Sequence, residues 1–212
     1  MQIAIPIFPR LTALDAVGPY EVLQRIPDFD VVFIGKEKGE VRTENSMLGL
    51  TVDATFDDVA HPDVVVFPGG IGTRAMMSDE LVLAWLRTAH STSTFTTSVC
   101  SGSLVLAAAG LLDGLTATTH YSVLSVLDSL GAISTQQRVV EHLPQRIITS
   151  AGVSSGIDMA LRLVALLAGD TAAMASQLMI EYDPQPPFDS GSLAKSSAAV
   201  VERALAYSRS RA

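Results

Sequence analysis

One cysteine, Cys100, stands in 212 residues. No internal disulfide can form, and the chain is expected to work in a reducing compartment, the cytoplasm. Basic residues are also few: 14 Lys and Arg against 22 Asp and Glu leave a net charge of −8. That balance argues against nucleic acid as a partner and suits a soluble protein handling a small neutral molecule. No apolar run is long enough to cross a bilayer, and no basic leader precedes Ile3-Ala4-Ile5-Pro6-Ile7-Phe8, so neither a membrane nor a secretory address is expected. Four histidines and one cysteine give no spaced His/Cys ligand cluster, so no metal is expected, and no sequence feature calls for an organic cofactor. GxGxxG and GxxxxGK[ST] are both missing, which removes the phosphate-cradling glycine loops. Charged residues make up only 17% against 48% hydrophobic, which excludes disorder and, at this length, points to one α/β domain over 1–212.

What is present is an alternation of short apolar runs with helical segments. Ile3–Phe8, Val31–Ile34 and Val64–Phe67 read as strands buried on both faces of a parallel sheet. Leu14–Leu23, Asp79–His90 and Ser101–Ala109 read as helices, with Pro19 tolerated in the first turn of its helix. Val123–Leu130, a long apolar segment opened by Ser150–Asp158 and running to about Leu167, Ala172–Tyr182 and Ser196–Ser208 are further helices. Such an order implies βαβ units and a site at the carboxyl ends of the strands.

Three features fall on that rim. Cys100 follows the run Phe95–Val99 and opens a helix, so the helix N-terminus faces the thiol and is expected to stabilise a thiolate. A displayed nucleophile and a buried structural thiol both fit this position. Asp15 sits at the end of the first βα loop or in the opening turn of the first helix, as a functional carboxyl or as a cap worth roughly 0.5–2 kcal/mol. Gly69 and Gly70 end a strand; they offer exposed N–H groups for an oxyanion, or form a plain tight turn. His120 either acts near Cys100 or caps a helix.

Taken together, Val65-Val66-Phe67-Pro68-Gly69-Gly70, Ser98-Val99-Cys100-Ser101-Gly102-Ser103, Ala117-Thr118-Thr119-His120 and Ala151-Gly152-Val153-Ser154-Ser155-Gly156-Ile157-Asp158 resemble the ThiJ/PfpI superfamily. The resemblance runs over nearly the whole chain, through Glu181–Phe188. It implies a flavodoxin-like α/β sandwich, a mostly parallel sheet with helices on both faces, a strained nucleophile elbow at Cys100 and a homodimer. Leu14-Asp15-Ala16-Val17-Gly18-Pro19 is similar to the first motif of the isonitrile (isocyanide) hydratase branch, in which an aspartate partners the cysteine. That likeness implies a hydro-lyase for which Cys100 is the nucleophile, Asp15 the acid and Ser101 the group holding the Asp15 carboxyl. Gly69, Gly70 and His120 would line the substrate or oxyanion site, and the substrate is an isonitrile. Ser101 stands where that branch carries threonine and where the peptidase-like branch carries histidine, so the adjacent Cys–His pair is missing. The alternatives on the same scaffold are a cysteine-dependent amidase, glyoxalase or deglycase, an oxidation-sensing protein, and a ligand-sensing protein without turnover.

Overall fold

The run Gln2–Pro6 forms β1, whose Ile3, Ala4 and Ile5 are wholly buried. The protein is seen here as a computed structural model that describes residues 1–209. After β1 come α1 (Ala13–Leu23), β2 (Asp30–Gly35), the hairpin strands β3 (Gly39–Arg42) and β4 (Gly49–Val52), and the short β5 (Ala54–Thr55). Next are β6 (Val64–Phe67), the single turn α2 (Thr73–Met76), α3 (Glu80–Thr92), β7 (Phe95–Val99) and α4 (Gly102–Ala108). The chain continues through β8 (Thr116–Thr118), α5 (Leu124–Ser129), β9 (Ile133–Thr135), β10 (Val139–His142), β11 (Ile147–Ser150), α6 (Ser155–Ala168) and α7 (Asp170–Met179). Met1–Ile180 forms one compact unit; a second begins at Glu181 and carries a 3-10 turn, Leu193–Lys195, an ion pair from Lys195 to Asp189 of 2.7 Å, and α8 (Ala198–Arg209).

The main sheet has seven strands in the order β10-β11-β7-β6-β1-β2-β5. Every neighbouring pair is parallel except β10 with β11. Omitting the edge strands β5 and β10, the order is the flavodoxin-like doubly wound one, with its switch point between β1 and β6. Helices cover the sheet in two groups, α1 with α6 and α7, and α4 with α3 and α5. That double cover explains the unbroken apolar strands: Val64, Val65, Val66 and Phe67 are all fully buried. Burying a side chain of the Phe67 class contributes roughly 1.5–3 kcal/mol.

One local expectation fails. Ala13 opens α1, so Pro19 lies well past the first turn, inside the helix. Its missing N–H withdraws the bond that the carbonyl four residues back, that of Asp15, would otherwise accept. The helix survives because its Ala16, Val22 and Leu23 are fully buried, and packing outweighs one lost bond.

Candidate active site

The exits of β1, β6 and β7 meet at the switch point. Thr12, the N-cap of α1, donates its N–H to Gly69 O at 3.0 Å and so ties the first loop to the exit of β6. Asp15, in the first turn, is 0% exposed and does not cap its own helix: its Oδ2 accepts the Gly69 N–H at 2.9 Å. Its Oδ1 is buried without a partner at hydrogen-bonding geometry. Removing a carboxylate from water favours its protonated form, and burial raises the Asp15 pKa from 3.8 to about 7, against the lowering effect of the Gly69 N–H and the Cys100 thiol.

Cys100 takes the left-handed conformation at φ 57°, which costs a residue with a Cβ roughly 1–2 kcal/mol. Its surroundings hold it there. The Cys100 N–H donates to Ser150 O at 3.1 Å and Ala151 O at 2.9 Å, and the Cys100 carbonyl accepts hydroxyl bonds from Thr119 Oγ1 at 3.0 Å and Ser103 Oγ at 3.2 Å. The side chain is enclosed, with the residue 5% exposed. The backbone N–H groups of Ser101 and Val153 bond the sulfur and favour its charge, but burial and the Asp15 carboxyl outweigh them and push the thiol pKa up. This corrects the expectation of a resting thiolate at the helix N-terminus: α4 is short, and desolvation exceeds what two N–H groups supply.

The glycine turn is also committed. Gly70 has φ 123°, a conformation that favours glycine. Its N–H donates to Ser101 Oγ at 2.9 Å, while the Gly69 N–H is taken by Asp15. Ser101 Oγ further donates to Gly70 O at 3.2 Å and lies 3.3 Å from Thr73 Oγ1. The hydroxyl thus braces the turn, and the Asp15 carboxyl is held by Gly69. A side chain at Gly69 would bring its Cβ within 2.5 Å of Ser101 N and 2.9 Å of Asp15 Oδ2, so only glycine lets the three segments close.

His120 follows β8. Its Nδ1 lies 2.7 Å from Ser122 Oγ and accepts the Ser122 N–H at 3.4 Å, capping a 3-10 turn at Tyr121–Val123. The ring also packs against Gly152, whose added Cβ would lie 2.7 Å from His120 Cδ2. Burial lowers the His120 pKa, partly offset by the Glu44 carboxylate. Among the hydrogen bonds of the described residues, none joins His120 to Cys100 or Asp15. Asp15, Gly69, Gly70, Cys100 and Ser101 come together, with His120 beside the neighbouring Gly152–Val153 loop.

Two contributors escaped the sequence reading. Val153, at φ 35°, brings its N–H to the Cys100 sulfur; the stretch Ala151–Gly156 signalled a loop, without saying which N–H would face the thiol. Glu44, in the β3–β4 hairpin, acts on both Asp15 and His120 through its charge. No local pattern marks it.

Residues 1–166 match the DJ-1/PfpI family. An isonitrile hydratase of Pseudomonas putida is 43% identical over 204 residues, covering 96% of this chain and 88% of that one. A crystal structure of a THiJ/PfpI family protein from Pseudomonas syringae superposes with a TM-score of 0.91 at 38% identity, over 97% of this chain and 85% of the other. The HTH-type transcriptional regulator CdhR of Pseudomonas aeruginosa is 29% identical over 80% of this chain, which spans 51% of the regulator. With an elbow cysteine at the end of a parallel strand, a matching sheet order and these relatives, the chain belongs to the DJ-1/PfpI family.

Proposed function

We propose that this protein is an isonitrile hydratase, converting a small isonitrile into the N-substituted formamide through a thioimidate on Cys100. The observation that carries the reading is the buried pair itself: the wholly buried Asp15 carboxyl, its Oδ1 unpartnered, beside the enclosed Cys100 thiol, with burial favouring the protonated form of both. Hydration of an isonitrile begins by adding sulfur and hydrogen to one carbon, and the pair holds both. In its singly protonated form the proton is shared between Asp15 and Cys100. When it lies on Asp15, the thiolate attacks the terminal carbon and the carboxyl delivers the proton to that carbon, giving R–N=CH–S–Cys. Asp15, now a carboxylate, takes a proton from water as the hydroxide adds to the same carbon. Asp15 passes that proton to the nitrogen, and as the C–S bond breaks the hydroxyl proton moves by way of Asp15 to the departing sulfur, giving R–NH–CHO and the free thiol. The Ser101 and Val153 N–H groups favour charge on the sulfur in the attacking form. The identity to the Pseudomonas putida isonitrile hydratase supports the same reading.

The test is direct: purified protein is given a neutral alkyl isonitrile and formamide is followed by NMR. Wild type is expected to turn over, and Cys100→Ala and Asp15→Asn to lose activity. Equal turnover by wild type and Cys100→Ala overturns the assignment.

A further inference from the structure

Glu44 is exposed, yet it is tied to the two segments that border the buried pair. Its N–H donates to Leu11 O at 3.1 Å, and its Oε1 accepts from Thr12 Oγ1 at 2.9 Å and from the Ile71 N–H at 3.3 Å. Thr12 lies three residues before Asp15, and Ile71 directly follows Gly70, so the carboxylate bridges the β1–α1 loop and the glycine turn at their solvent side. Its charge acts on both Asp15 and His120. Arg42, two residues earlier, is occupied by Glu40 at 2.7 Å. The thioimidate chemistry assigns no proton transfer to this carboxylate.

We propose that Glu44 is a specificity-determining residue, a carboxylate pinned at the rim of the Asp15–Cys100 pair that turns away molecules bearing a negative charge. The substrate class is then a neutral or cationic isonitrile, and one carrying a carboxylate is disfavoured. The substrate half of this statement rests on the hydratase reading; the rim half does not.

Cys100 is the chain's single thiol, so alkylation reads its surroundings without any turnover. Second-order rates are measured with iodoacetamide, which is neutral, and iodoacetate, which is anionic, on wild type, Glu44→Gln and Glu44→Lys. Both reagents attack the same sulfur, so a change in thiol ionisation cancels in the ratio of the two rates. Gln keeps an Oε1 acceptor for Thr12 and Ile71. The iodoacetate-to-iodoacetamide ratio is expected to rise about 3- to 10-fold in Glu44→Gln at low ionic strength and further in Glu44→Lys, with the difference shrinking at about 0.5 M salt. An unchanged ratio in both variants overturns the proposal. In parallel, kcat/KM is compared for a neutral alkyl isonitrile and isocyanoacetate, and the anionic-to-neutral ratio is expected to rise by a similar factor. A shifted alkylation ratio with no isonitrile turnover by wild type keeps the rim assignment and removes the hydratase reading. Turnover with both ratios unmoved does the reverse.

Discussion

Replacing Asp15 by asparagine is expected to make the protein more stable at neutral pH while stopping its chemistry. The carboxyl has a pKa near 3.8 in the unfolded chain and about 7 in the folded one. The folded state therefore holds this proton more tightly, and stability from this group is full below pH 3.8, falls as pH rises between 3.8 and 7, and is lost above. The shift of roughly 3 units at 1.36 kcal/mol each sets the loss at about 4 kcal/mol above pH 7. Asparagine keeps an oxygen for the Gly69 N–H but has no charge to bury. At pH 4 the two proteins should melt together. By pH 8 the variant should melt higher, by up to about 8–16 °C at about 2–4 °C per kcal/mol for a chain of this size. Thermal unfolding followed by circular dichroism from pH 4 to 8 gives the curve, and formamide production on the same samples should fall about 100-fold or more. Parallel melting curves for the two proteins, or a variant less stable at pH 8, would refute the buried, proton-holding carboxyl and the acid role built on it.

Further outcomes follow from the same geometry. Because the reactive form of the pair carries one proton, kcat/KM for a neutral isonitrile should climb about tenfold per pH unit below the Asp15 value of about 7 and level off above it; a flat profile from pH 5 to 8 contradicts the shared proton. Gly69→Ala should lower both stability, by about 1–3 kcal/mol in urea unfolding, and kcat, since the new Cβ would press on Ser101 N at 2.5 Å and Asp15 Oδ2 at 2.9 Å. Thr119→Val removes a hydroxyl that bonds the Cys100 carbonyl at 3.0 Å; it should cost about 1–3 kcal/mol by the same measurement. The Val variant should reduce kcat more than it raises KM, with Thr119→Ser restoring both.

The sheet was readable because its evidence is local. Val64–Phe67 is apolar at every position and ends in Pro68-Gly69-Gly70, and a strand buried on both faces needs nothing more to be recognised. Cys100 and Asp15 could be placed on one rim because each lies at a strand-to-helix junction, while their pairing was implied only by the resemblance of Leu14–Pro19. The charge state of the thiol was not readable. It depends on burial and on a carboxyl 85 positions earlier in the chain, and the short α4 supplied the only local hint, of the wrong sign. The uses of the Gly69, Gly70 and Val153 N–H groups were hidden for a related reason: a backbone donor's partner is chosen by the closing of distant loops, as Gly69 with Asp15 illustrates across 54 residues. Glu44 was the least visible, an acid in a solvated hairpin that becomes part of the rim only when Thr12 and Ile71 reach its side chain.

The disposition of N–H groups also separates the proposed chemistry from its nearest rival on this scaffold. Hydrolysis of an amide passes through a tetrahedral oxyanion and needs donors aimed at a developing oxygen charge. In this site the two glycine N–H groups that a strand-end turn could offer are already spent, on the Asp15 carboxyl and on Ser101 Oγ. The donors that remain at Cys100, from Ser101 and Val153, bond the sulfur. An isonitrile asks for no oxyanion in its first step: the carbon takes sulfur and a proton, and negative charge stays on the sulfur until the C–S bond forms. A site that buries its acid, keeps its thiol protonated and aims its remaining donors at sulfur is matched to that step, and an amidase built here would have to break the Gly69–Asp15 or Gly70–Ser101 bond before it could stabilise its intermediate.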